Sequence, residues 1–161
     1  MVARLCTLSM VVGYLGTLLT QTITFASDQF HASTSSQGLT LASARAGVLL
    51  SLVIMTIADR RGRQRLLVVC TISGILAASL GALAPNLTTL GATQFLTRSF
   101  STALALLIAV VAAEEMPAGG RAYAASVVAM TTALGAGGAV LLLPLADLHP
   151  GAWRILYVAP L

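Results

Sequence analysis

One arginine interrupts the apolar run 87–113: Arg98, with Gln94 four positions before it and Ser101 three after. At 1.5 Å of rise per residue, Arg98 lies roughly 16 Å into a helix begun at Leu87, near the middle of a bilayer's ~30 Å hydrocarbon core. A charge at that depth costs at least ~2.5–3.5 kcal/mol on insertion scales, so it needs a water-filled cavity, an acid or a carbonyl as partner. Two readings follow. Arg98 lines a cavity, where it holds an anionic group or modulates a protonatable acid, or it caps carbonyls of a neighbouring helix. Gln94, Arg98 and Ser101 follow i, i+4, i+7 spacing and share one helix face. Thr17, Gln21 and Thr24, with Thr20 beside them, draw a similar stripe in an earlier run. Facing each other, the two stripes would line an aqueous cavity; packed together, they would supply interhelical hydrogen bonds of ~0.6 kcal/mol each.

These side chains need helices to carry them. Of the 161 residues, 57% are hydrophobic and 9% charged, where a soluble domain has about a quarter charged. Mean hydropathy is +0.92, and the implied solvent is lipid. The expected fold is all-α: spans at 5–27, 39–58, 66–84, 87–113 and 122–146, and a sixth begun at 153–161, each complete one near the ~20 residues that cross a bilayer. Segment 28–38, polar and Ser/Thr-rich, reads as an outer loop. Pro85-Asn86 and 147–151 read as further outer turns. Arg45, some 9 Å from the outer end of a span begun at Leu39, reads as interfacial. Trp153 and Tyr157 fit an interfacial aromatic belt, and Gly135, Gly137 and Gly138 fit close helix packing.

Segment 58–65 carries Asp59, Arg60, Arg61, Gly62, Arg63 and Arg65 between two apolar runs. It reads as a tight turn in water, with Gly62 supplying the positive φ. With the N-terminus inside, Arg4, Arg60, Arg61, Arg63, Arg65 and Arg121 face the cytoplasm and only Arg154 faces out, as the positive-inside rule requires. The expected location is therefore the plasma membrane, multi-pass, with the N-terminus cytoplasmic. The net charge of +4 does not point to nucleic acid, since lysine is absent and the arginines sit at the ends of apolar runs. Cys6 and Cys70 lack companions at ligand spacing, so neither a metal nor a disulfide is expected. His31 and His149 fall in loops, and no nucleophile or base set lies within a span; the chain reads as neither an enzyme nor a cofactor protein.

Asp59-Arg60-x-Gly62-Arg63 resembles the core of the signature between helices 2 and 3 of the major facilitator superfamily of secondary transporters. Met55 and Gln64 stand where that signature usually has a glycine and a further base. Arg98 falls where the family's fourth-helix arginine falls, with Thr102 where a glycine is frequent. Glu115-Met116-Pro117 with Arg121 resembles the family's loop between helices 4 and 5, and Trp153-Arg154 resembles the pair that opens helix 6. The resemblance implies the N-terminal half of a two-half bundle, with a C-terminal half as partner. It implies a transporter that moves a small solute by alternating access, either coupled to protons or facilitative. Arg98, Gln94, Ser101, Thr17, Gln21 and Thr24 would then serve the cavity, and Asp59, Arg60, Gly62 and Arg63 a gate in which the acid latches onto a helix end of the other half. The other reading of that loop is a set of solvated charges that only orients the chain. No carboxylate lies deep in any span, so a buried proton acceptor would come from the other half. Alone, the 161-residue chain is expected to transport nothing. The rival reading is a non-transporting multi-span scaffold or assembly subunit.

Overall fold

The computed structural model describes residues 2–117, 119–149 and 151–160, leaving out the side chains of Val2, Asp59, Arg61 and Asp147. Helices α1 (Val2–Gln29), α2 (Thr34–Arg61), α3 (Arg63–Ala82), α4 (Leu87–Glu115) and α5 (Arg121–Leu141) are followed by a 3-10 turn (Leu143–Asp147) and a short α6 (Trp153–Val158). No strand occurs among the described residues. Five of the helical segments are long and apolar enough to cross a bilayer, as a multi-pass membrane protein requires.

Local chemistry sets where the helices stop. Asn86 caps α4: its side-chain oxygen accepts from the Thr89 amide at 2.9 Å, and the Thr89 hydroxyl reaches back to form a capping box. Ser33 caps α2 by accepting from the Ser36 amide at 3.3 Å. Segment 28–38, expected as a loop, is therefore mostly helix, and the α1–α2 connection shrinks to residues 30–33. Serine and threonine suit a helix's first turn as well as a loop. The charged segment 58–65 is likewise no open loop. Helix runs to Arg61 and resumes at Arg63, and Gly62 alone makes the break with φ +93°, a conformation that L side chains rarely adopt. The fifth span runs Arg121–Ala146, close to the expected 122–146, but changes helix type along its length. Its α-helix stops at Leu141, and Pro144, which has no N–H to continue the ladder, sits in the 3-10 turn.

Helices α1 and α4 are central. α1 packs along α5 and α4, while α4 also packs along α2 and α3. The interior has two apolar cores. One gathers Leu15, Leu18, Leu19, Ile23, Leu90, Leu156 and Tyr157; the other gathers Leu5, Leu66, Cys70, Leu104, Leu107, Ile108 and Val111. Between Leu90 and Ala103, α4 instead buries Gln94, Thr97, Ser99 and Ser101, a polar layer at mid-depth. The outward faces of α2, α3 and α5 expose Leu49, Leu52, Val53, Val68, Ile72, Leu76, Met130 and Leu134, a surface suited to acyl chains.

Two aromatic side chains correct the sequence reading. Trp153 and Tyr157 are not an exposed belt but among the largest fully buried side chains. Trp153 Nε1 donates to Gln29 Oε1 at 2.7 Å, and the Tyr157 hydroxyl pairs with Thr22 at 2.7 Å. These bonds satisfy their polar ends inside the bundle and pin α6 to α1, while α6 also packs along α3. Arg154 Nη2 donates to the Ala84 carbonyl at 3.2 Å, just past the end of α3.

Candidate functional site

The polar layer opens into a cavity of about 100 Å³. Its lining comes from Leu15, Gly16, Leu19 and Thr20 of α1, Leu41, Ala44 and Arg45 of α2, and Gln94 and Arg98 of α4. Close helix contact builds it. On α2, Gly47 lies so near α4 that a β-carbon there would overlap the Phe95 carbonyl oxygen and come within 3.3 Å of Arg98 Cβ. Gly91 receives Thr40 and Ser43 in the same seam. Small residues at 40, 43, 47 and 51 of α2 thus draw the two backbones together.

Arg98 reaches across to α1, where its Nη1 donates to the Gly16 carbonyl at 2.9 Å, while its Nε is buried without a partner. Arg98 thus makes a carbonyl contact and also forms part of the cavity wall. Gln94 is buried, and its Nε2 has no hydrogen-bond partner. Gln94 and Arg98 come together as their spacing predicts. Ser101 is buried but bonds its own helix, donating to the Arg98 carbonyl at 3.2 Å.

The α1 stripe lies one position around the helix from the face that meets Arg98. Thr17 donates to its own helix at the Gly13 and Tyr14 carbonyls, Gln21 is half-buried and Thr24 is exposed, and none of the three lines the cavity. Gly16 and Thr20 do. The Gly16 contribution is a main-chain oxygen, which no side-chain pattern signals.

Arg45 corrects a sequence estimate. Because α2 begins at Thr34, Arg45 lies roughly 16 Å along it, and Arg98 lies roughly 16 Å along α4 from Leu87. The two run in the same direction from the same side of the bundle, so both arginines reach one level at mid-depth. The small-residue spacing beside Arg45 was the available signal.

At the basic end, Arg63 forms an ion pair with Glu114, tying the Gly62 break to the last turn of α4. Arg63 has a further interaction besides that pair. Arg60 and Glu115 are exposed, and Glu115 borders a groove with Arg4 and Gln64. Arg121 folds back to donate from Nε to the Met116 carbonyl at 3.4 Å. The Asp59 side chain, the expected latch, lies outside the described residues. Among the described residues no cluster of His, Cys, Asp or Glu is arranged to hold a metal.

No protein-family model, curated protein or solved structure matches this chain.

Proposed function

We propose that the chain is the N-terminal bundle of a major-facilitator-type secondary transporter that moves a small solute by alternating access. The observation that carries this reading is Arg98. It is a guanidinium at mid-depth that borders an open cavity between α1, α2 and α4, with one nitrogen held by Gly16 and another left unpaired. A cation whose only task was to cap a carbonyl would not need a cavity beside it, and intramembrane charges mark substrate or ion pathways. Secondary transporters place their site at the midplane between two repeats that rock about it. A second bundle, implied by the same reading, would close the opposite wall of the cavity. The basic end faces the cytoplasm of a plasma membrane, because it gathers most of the arginines. Arg63, Glu114 and the Gly62 break then belong to the inner gate, and Asp59 would latch it. Proton coupling is part of the proposal through the family resemblance.

The test is flux. The complete protein encoded by the gene is reconstituted in liposomes and assayed for exchange against a solute panel, with and without a pH gradient. Saturable flux that Arg98→Ala abolishes supports the reading. A well-folded complete protein that carries nothing in the panel, and whose conformational balance is unchanged by Asp59→Asn, favours a scaffold instead.

A further inference from the structure

We propose that the α1–α2–α4 cavity recognises a small carboxylate gripped between Arg45 and Arg98, which, resting on the transporter reading above, makes the solute an organic anion. The lining has a single sign. Its charged groups are two guanidiniums, its other polar side chains are those of Thr20 and Gln94, and no carboxylate among the described residues borders it. The acids of this chain sit at helix ends, and Asp28, for instance, is about 18 Å of helix away from Gly16. Arg45 has no hydrogen-bond or ion-pair partner among the described residues. Arg98 has spent one Nη on Gly16, yet its Nε remains buried and unpaired, as does Nε2 of Gln94 on the Gly81 side of the same layer.

Two like charges lining one cavity at one depth, one of them with a buried unpaired Nε, form an incomplete site. The missing piece is a compact group that brings acceptors and negative charge. A carboxylate supplies two coplanar oxygens that match the guanidinium fork. Lipid headgroups carry such charge too, but their level is roughly 16 Å away along either helix, so a free solute is the occupant. Leu15, Leu19 and Leu41 line the rest of the cavity, leaving room for a short apolar tail.

The experiment uses the complete protein, purified in detergent for binding and reconstituted for flux. The probes are acetate, lactate, succinate and benzoate, with phosphate as a tetrahedral anion, choline as a cation and glycerol as a neutral solute. The expected result is saturable binding of at least one carboxylate, read as a concentration-dependent thermal shift. Arg45→Gln should weaken it roughly tenfold or more, the loss typical of one charge-assisted pair, while Arg45→Lys keeps most of it. Since Arg45 is exposed, the substitution is compatible with folding, and monodispersity on size exclusion checks this. Binding unchanged in Arg45→Gln overturns the proposal, as does phosphate as the sole anion bound. Flux of choline or glycerol with no anion bound overturns it too, while leaving the transporter reading intact. Carboxylate binding lost in Arg45→Gln, without flux of any solute, upholds the site and removes the transporter reading.

Discussion

Helix α1 has two faces that use small residues in opposite ways. Toward α5 it forms a sealed seam. A β-carbon on Gly13 would overlap the Thr132 carbonyl, and one on Gly135 would overlap the Met10 carbonyl, so the two backbones touch with no room between them. Ser9 and Thr131 complete that seam with a hydroxyl pair. Toward α4, one helical turn further on, Gly16 offers its carbonyl to Arg98, and a β-carbon there would sit 3.4 Å from Nη1, an ordinary contact. One face is closed by packing and holds the bundle together. The other is left open by polarity and bears the cavity. The contrast teaches that glycine content alone says nothing about function; what meets the missing side chain does.

Five substitutions can break or sharpen that contrast. Arg98→Leu removes a mid-depth charge, so membrane insertion of the α4 segment should become easier by ~3 kcal/mol, even as the flux proposed above is abolished. An insertion assay that finds no difference would mean the guanidinium already escapes the hydrocarbon. Gly13→Ala and Gly135→Ala force backbone against backbone and should each destabilise the bundle by about 2–3 kcal/mol, measurable by denaturant titration in mixed micelles; near-neutral values would show that the seam is looser than described. Ser9→Ala deletes only a hydroxyl pair and should cost ~0.6 kcal/mol in the same titration, placing the seam's strength in packing. Smallest of all, Gly16→Ala should fall within ~0.5 kcal/mol. A large loss there would make the cavity face as tightly packed as the seam.

Much of this arrangement could be read from residue order. Arg98 announced itself as a lone charge in an apolar run, and its partnership with Gln94 followed from helical spacing. Gly62 was legible because a charged stretch between two apolar runs must turn tightly, and a tight turn calls for a residue of permissive φ. The depth of Arg45 was not, because it hinged on whether Thr34, Ser35 and Ser36 belonged to a loop or a first helical turn. That choice was settled by the Ser33 cap. Nor was the burial of Trp153 and Tyr157, since an aromatic with a polar tip suits an interface or an interior equally, and only Gln29 and Thr22 decide which. The Gly16 oxygen left no trace, because every residue has one.

The bond from Arg98 to Gly16 joins positions 82 residues apart, and their order matters during synthesis. A ribosome delivers α1 well before α4, so the accepting oxygen is already within the bilayer when the guanidinium emerges from the translocon. A costly group thus arrives late, at a berth prepared in advance. A circular permutant that places α4 ahead of α1 would strand that cation in oil until its acceptor was made.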